Sequence, residues 1–430
     1  MRKKLVFLLL GCFVLLLAGQ PVLAAVEQHL NVSVTTGAEY DDNIYLDPDH
    51  EEDDVNFTIT PSINWLAAVE HASLSVTYTP GINSYVDDSS NNYISHDVNV
   101  VADWQPLQYL AFKFTEHYLH SEDPLDDRDS RRRDEEDSRL NDRQGRDPYY
   151  RNDVGLTGTY TFGDQRFFDL GYRFGLLQNE NPDDTDSREH SVSSHLGFKV
   201  SDHDMLDLSY VFTRGIYKHD PDDFVSHDVT GRYTRTITPH LDVYGQLGFL
   251  HYDYDSSSEE DNYDEYSGDL GVTYRFREYY TFGASYGRYD HHSKGDDDNS
   301  GNRWSAYLQR DFENKSFRVA FDYGTEVNNF DAENNGYTKY WSLMADFNYH
   351  FAERWSLTAN GTYRNDDYQD EEPSYEQDEY MAGVTLSYAI NDWLSAAASY
   401  NYDELDSDRD EDDYVDNRVM FSLTARWNVF

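Results

Sequence analysis

Residues 168–176 read FDLGYRFGL, and large apolar side chains alternate in this stretch with small or charged ones. In an extended strand successive side chains point to opposite faces, so the apolar set shares one face and the polar set the other. The same alternation occurs in residues 206–212 and 266–276, and no helical periodicity of useful length follows residue 25. The sequence therefore predicts β-strands that each have an apolar and a polar face.

The connections between these segments are alternately short and long. Nine tight turns fall at 69–70, 105–106, 163–165, 201–203, 238–240, 277–278, 313–315, 352–354 and 391–392. Ten long acidic loops fall near 41–54, 86–92, 120–149, 177–188, 217–226, 253–265, 290–302, 327–337, 366–378 and 403–416. Outer-membrane barrels have short periplasmic turns and long extracellular loops. The pattern predicts an all-β, transmembrane, antiparallel up-and-down barrel over residues 25–430, with about twenty strands and eighteen as the alternative.

The composition narrows the class of protein. The chain has 82 acidic and 34 basic residues and a formal net charge of −48, which argues against nucleic acid as a partner. Its 37 Tyr, 23 Phe and 7 Trp are too many for a disordered acidic chain. Cys12 is the only cysteine, so disulfide scaffolds are excluded. The strands of a soluble β-sandwich or β-propeller also alternate apolar and polar side chains. In those folds, however, nothing requires all the long loops to lie at one end.

The first residues have the pattern of an export signal. Arg2, Lys3 and Lys4 precede an apolar run over residues 5–17, and small residues lead up to Ala24. This predicts a signal peptide over residues 1–24 that is cleaved on export; an uncleaved anchor or a lipidated start is the alternative. The expected location is the cell outer membrane of a Gram-negative bacterium.

Charged residues of both signs occupy the polar parity of the strands. The simpler interpretation is a hydrated lumen in which these charges stabilise the contacts between neighbouring strands. The more specific interpretation is a polar conduit whose charges select the transported solute. The candidate lumen-lining residues are Lys113, Asp169, Arg173, Lys199, Asp207, Arg232, Asp269, Arg275, Arg318, Asp322, Asp346 and Arg364.

The longest loop, residues 120–149, is rich in both acidic and arginine residues. Such a mixed-charge segment could fold into a mixed-charge lumen and act as a constriction or gate; the alternative is a solvated loop. The candidate constriction-loop residues are Arg131, Arg132, Arg133, Asp134, Glu135 and Glu136.

No cofactor, dedicated metal site or catalytic group is expected. Acidic loops could bind Ca²⁺ or Mg²⁺ diffusely, but the segment 296–301 lacks the glutamate of a calcium loop because Tyr307 stands in its place. The segments 95–97 and 226–228 both read Ser-His-Asp, yet adjacent side chains of a strand diverge and cannot form a triad. They indicate a weak internal repeat, and the protein is expected not to be an enzyme.

The segment 37–45 reads GAEYDDNIY at the end of the first strand. It resembles the early motif of the outer-membrane β-barrel porin family that is encoded in exopolysaccharide and capsule gene clusters. The resemblance implies a barrel, usually of eighteen strands, that helps a polymer cross the outer membrane. It also implies a periplasmic polysaccharide-export protein and an inner-membrane synthesis complex as partners.

Three functions follow as alternatives. The first is a conduit for exopolysaccharide export, the second a general or solute-specific diffusion porin, and the third a surface adhesin or structural barrel. Further expected partners are outer-membrane lipid, lipopolysaccharide and the barrel-assembly machinery, whose signal resembles the final segment that ends in Phe430.

Overall fold

The computed structural model describes residues 26–126, 144–182, 184–218, 223–255, 262–277, 279–294, 299–327, 337–368, 374–409 and 412–430. The signal-peptide prediction for residues 1–24 lies outside this part of the chain. Within it, no helix has the length and hydropathy needed to cross a bilayer.

Twenty antiparallel strands form one sheet, and each strand pairs with the next along the chain. The strands are β1 Glu27–Asp41, β2 Asp54–Val69, β3 Ala72–Tyr85, β4 Tyr93–Leu107, β5 Leu110–Ser121, β6 Tyr149–Gly163, β7 Arg166–Asn179, β8 Asp186–Lys199, β9 Asp204–Lys218, β10 Phe224–Thr238, β11 Leu241–Tyr254, β12 Tyr263–Phe276, β13 Tyr280–Ser293, β14 Asn299–Phe312, β15 Lys315–Val327, β16 Tyr337–Ala352, β17 Trp355–Tyr368, β18 Tyr375–Ala389, β19 Leu394–Ser407 and β20 Tyr414–Asn428. A short 3₁₀ turn, Ser89–Asn91, lies between β3 and β4.

Pairing between the first and last strands closes the sheet into a barrel. The register runs from Asn31 opposite Asn428 to Asp41 opposite Arg418. Closure leaves no free strand edge, which is the condition for a sheet in hydrocarbon, where unpaired backbone groups find no partner. The prediction of twenty strands is confirmed, and the alternative of eighteen is wrong.

The two ends of the barrel differ. Nine connections of a few residues join the strands at one end, here called the turn end, and ten longer connections join them at the other, the loop end. The loop end corresponds to the cell exterior in outer-membrane barrels.

The strands extend further toward the loop end than predicted. The segment 403–416 was expected to be a loop, but β19 continues to Ser407 and β20 begins at Tyr414. The acidic residues there remain in the ladder because they have partners: Arg418 contacts both Asp403 and Asp416. A fall in hydropathy along the sequence therefore shows where the apolar, lipid-facing part of a strand ends. The strand itself continues beyond that point.

The outer face carries large exposed apolar side chains, as a lipid-facing surface does. Leu208, Leu247, Leu270 and Phe421 are examples. Aromatic rings stack on this face beside the short turns, with 5.4 Å between the ring centroids of Trp104 and Phe112. These stacks have the position of an interfacial aromatic girdle.

The lumen and its mouth as candidate functional site

The face opposite the exposed apolar residues is the lumen, and contacts between strands that are not neighbours fix this assignment. The hydroxyl of Thr325 on β15 donates to the carboxylate of Glu265 on β12, at 2.9 Å. Strands β13 and β14 lie between these two strands in the sheet. Thr325 lies beyond Tyr323, the last residue of β15 that pairs with β14, so the end of β15 reaches across the concave side of the wall to Glu265. Glu265 alternates with the exposed Tyr266 and therefore points into the barrel.

All twelve predicted lumen residues lie on this inner face. Each alternates with outward neighbours such as Leu208, Leu270 and Val319, which are 43%, 72% and 42% exposed. Their role in selecting a solute stays a prediction. The six candidate constriction residues, 131–136, lie outside the described residues.

Several of the inner charged residues contact a titratable side chain on a neighbouring strand. The imidazole of His195 lies 3.7 Å from Asp169 and 3.4 Å from Asp207. The guanidinium of Arg275 lies 2.7 Å from Asp242. Arg173 reaches Asp153 at 3.3 Å. These contacts agree with the simpler explanation, in which charges brace the wall of a hydrated lumen.

Arg232 and Arg318 stack on aromatic rings of the wall instead. The guanidinium of Arg232 lies 3.6 Å from the ring centroid of Tyr244, and that of Arg318 lies 5.5 Å from that of Tyr307. Planar guanidinium groups stack favourably on aromatic faces. The two arginines therefore lie against the wall.

Arg364 is the one buried residue among the twelve candidate lumen-lining residues, with its side chain only 2% exposed. It contacts Asp366 at 2.5 Å and Glu326 of β15 at 2.9 Å. Its guanidinium also lies 4.2 Å from the ring centroid of Tyr340. A buried ion pair depends on both partners, because removing one leaves the other as an uncompensated charge. This group holds three adjacent strands together near the loop end.

The segment 42–53, here called the first loop, is fixed to the last strand by Asn43. This fully buried residue donates from Nδ2 to the carbonyls of Asp47 and Val415, each at 3.1 Å. Its Oδ1 accepts the amide of Asp47 at 3.0 Å, and its own amide donates to Asp41 at 2.9 Å. The motif that carries the family resemblance thus fastens the first loop across the seam between β1 and β20.

The next residues of the first loop enter the mouth of the barrel. Leu46, with a left-handed φ of 54°, is 1% exposed. It packs in a buried cluster with Leu125, Met381, Leu405 and Tyr414. Met381 and Leu405 lie on the inner face of β18 and β19, whereas Leu125 follows β5 on a distant part of the wall. The cluster therefore joins two loops to the far wall across part of the mouth.

The two ends of the predicted gating loop are held there by Arg146. Its guanidinium contacts the carboxylate of Asp123 and the carbonyl of Ile44, both at 3.4 Å. It also lies 4.7 and 5.2 Å from the ring centroids of Tyr85 and Tyr93. Burial alone would lower the pKa of Arg146, but Asp123 and the two tyrosine hydroxyls raise it above its ordinary value. Arg146 is therefore a permanent cation that ties both loops together.

An aromatic cluster covers the inner face at the loop end of β9–β13. Stacking is close, with 4.5 Å between the ring centroids of Phe224 and Tyr252 and 5.2 Å between those of Tyr252 and Tyr263. The cluster consists of Tyr217, Phe224, Tyr252, Tyr254, Tyr263 and Tyr289. Sequence reasoning missed it, although these residues share the parity of the inward charges.

Asp41, Asp42 and Asp416 bring three carboxylates within 4.8 Å of one another, in the manner of a metal site. However, Asp42 accepts two bonds from Asn417, at 2.6 and 2.9 Å. Arg418 lies 2.9 Å from Asp416. Asn417 and Arg418 are thus the partners that Asp42 and Asp416 have across the seam, and cation binding stays a prediction.

The two Ser-His-Asp segments form a repeat. His96 faces outward, where Tyr78 of the preceding strand contacts its Nδ1 at 2.9 Å. His227 faces outward in the same way beside Tyr210, also at 2.9 Å. Because the flanking serines and aspartates face the lumen, neither segment converges as a triad would.

The closed sheet thus has an apolar outer face and a charged inner face. The molecule is an outer-membrane β-barrel with a porin-like fold. Residues 312–427 of the barrel match the family model described as "Putative beta-barrel porin 2". This match agrees with the resemblance drawn from segment 37–45. No curated protein matches the barrel sequence.

Solved structures resemble the barrel at low sequence identity. The FrpB iron transporter from Neisseria meningitidis is 9% identical with a TM-score of 0.56, over 93% of this barrel chain and 83% of that one. The ferric enterobactin receptor from Pseudomonas aeruginosa is 10% identical with a TM-score of 0.55, over 94% and 81%. The siderophore receptor PirA from the same organism is 12% identical with a TM-score of 0.52, over 93% and 80%. These likenesses establish the fold alone.

Proposed function

We propose that this barrel is the outer-membrane conduit through which an exopolysaccharide leaves the cell, and that its mouth is narrowed at rest by the first loop and the ends of the loop 120–149. The observation that carries the proposal is the anchorage of the first loop: the residues that resemble the porin family are those that hold Leu46 inside the mouth. The role is transport, with no chemical step.

The lumen wall fits a hydrophilic passenger. Charges of both signs are paired along the wall, so a sliding polymer would meet hydrogen-bonding groups without a strong field of one sign. Solute selection in barrels depends on such lumen residues. A second candidate is a diffusion porin for small solutes, which the same braced polar wall would also serve.

The proposal includes export and assembly. Residues 1–24 would be removed as a signal peptide, and the barrel-assembly machinery would insert the remainder. A periplasmic polysaccharide-export protein would meet the turn end, where the connections are short and leave the lumen accessible.

Deletion of the gene tests the transport direction. Loss of surface polysaccharide, with polymer retained in the periplasm and restored export on complementation, is the expected result. Normal polysaccharide secretion with slower uptake of small solutes would contradict export and favour the diffusion porin.

Removal of residues 122–147 tests the resting constriction. We expect single-channel conductance in planar bilayers to rise, because the deletion removes Leu125 and Arg146, which hold two loops in the mouth. Deletion of residues 256–261, in the connection between β11 and β12, is the control. Equal conductance of the full chain and the 122–147 deletion would show that this loop does not narrow the lumen.

A further inference from the structure

The outer face of β8 and β9 carries a small group of basic side chains near the loop end. Arg214 is directly opposite His190 in the register, and Arg188 is two residues above His190 on the same strand. All three share parity with the exposed, lipid-facing Val192 and Leu208. The register between these strands is continuous, so the three side chains lie on the outer face. They are here called the basic patch.

The depth of the basic patch corresponds to the membrane interface. Phe198 lies at the turn end of β8 on the same face, ten residues below Arg188. At about 3.4 Å per residue and a strand tilt of about 40°, ten residues rise about 25 Å along the barrel axis. An outer-membrane barrel has an apolar band of about this height. Arg188 therefore lies at the upper boundary of the hydrocarbon, where lipid headgroups begin.

The arginines of the basic patch have no acidic partner among the described residues. Both are exposed. The outward carboxylate next above them, Asp186, is engaged by Lys218 at 3.1 Å. In a chain with 82 acidic and 34 basic residues, arginines without a carboxylate partner are unexpected. On the lumen wall, Arg173, Arg275 and Arg364 each contact a carboxylate.

The histidine of the basic patch is oriented by a tyrosine. Tyr172 contacts Nδ1 of His190 at 2.8 Å, and the ring of Phe174 lies 5.0 Å from the imidazole centroid. When the Tyr172 hydroxyl donates to Nδ1, a neutral imidazole carries its proton on Nε2. His190 then presents an N–H donor beside two guanidinium groups.

We propose that the basic patch binds the phosphate group of an outer-leaflet lipid, namely a phosphate of the lipid A part of lipopolysaccharide. Guanidinium groups bind phosphate oxygens with paired, charge-assisted hydrogen bonds. A lipid phosphate is the anion found at this depth. It would provide the negative charge that no carboxylate of the described residues provides to Arg188 and Arg214. The site would fix the barrel in its leaflet beside the acidic loops.

The test uses the folded, full-length barrel in phosphatidylcholine nanodiscs that contain either bisphosphorylated or dephosphorylated lipid A. Lipid binding is measured by native mass spectrometry over a titration. We expect the unmodified barrel to prefer the phosphorylated lipid. Arg188→Gln and Arg214→Gln should each weaken that binding about fivefold, and the double variant about thirtyfold. These values follow because each basic residue near an anionic lipid surface changes the affinity by about fivefold.

The matched control is Arg310→Gln, because Arg310 also faces outward but lies at the turn end, beside the ring of Tyr280. It should leave lipid A binding unchanged. Heat-modifiable mobility on gels verifies that each variant is a folded barrel. Equal affinity of the unmodified barrel for the two lipids would overturn the proposal without requiring any variant. A double variant that binds lipid A normally, or that instead loses association with a second protein, would overturn it as well.

Discussion

Asn43→Ala should release the first loop from the mouth of the barrel. The substitution removes three side-chain hydrogen bonds, two to Asp47 and one to the carbonyl of Val415 on β20. A buried hydrogen bond contributes about 1 kcal/mol net, so the first loop loses about 3 kcal/mol of anchorage. Since each 1.4 kcal/mol is about a tenfold change, the equilibrium between a docked and a released loop should shift about a hundredfold.

The assay for this prediction is single-channel conductance in planar bilayers, with hydrogen exchange of residues 42–53 as a second readout. We expect larger or more frequent openings and faster exchange, while unfolding of the barrel in urea changes little. The control is Asn348→Ala, because Asn348 is also an inward asparagine but lies near the turn end and accepts one bond, from Thr358 at 3.0 Å. If Asn43→Ala has faster exchange but unchanged conductance, the first loop does not narrow the passage; if both are unchanged, the anchorage argument is wrong.

Three further variants test the wall and the mouth. Arg146→Ala should raise conductance and weaken docking of both loops by about 3 kcal/mol, because it leaves the Asp123 carboxylate without its buried partner; unchanged protease resistance of the loops would contradict this. Arg364→Met should lower the free energy of unfolding in urea by about 3–5 kcal/mol, since the fully buried Asp366 would lose its cation, and a Lys variant should lose less. Glu116 lies on the lipid-facing parity of β5, opposite two valines, so its replacement by Leu should raise that free energy by about 1–2 kcal/mol, and a decrease would place this surface against protein instead of lipid.

The mouth gives the barrel two kinds of structure with different expected mobility. Backbone ladders join neighbouring strands along most of their length, whereas the described parts of the two loops at the mouth are joined to the wall chiefly by the contacts of Asn43, Leu46 and Arg146. Segments held by few buried contacts open at lower free energy than the ladder. Passage of a polymer would therefore require displacement of the loops and no rearrangement of the barrel.

The sequence by itself determined the barrel class, the count of twenty strands and the face on which each strand residue lies. This was possible because lipid on one side and water on the other impose a period of two on every strand, which is a local property that survives without knowledge of the fold. Residues 168–176 show this alternation of apolar and polar side chains within a single strand. The position of the lumen charges followed from the same parity.

Only the tertiary structure decided what those side chains meet. Leu46 and Leu125 both look like loop residues in the sequence, yet they pack on the inner wall formed by β18–β20 because closure between β1 and β20 brings distant segments around one mouth. The strand register likewise placed Arg173 beside a carboxylate, whereas Arg188 and Arg214 have no carboxylate partner in the part of the chain that the structure describes. Side-chain contacts between strands depend on the strand register and on the curvature of the sheet. The alternation of residues within a single strand determines neither of these.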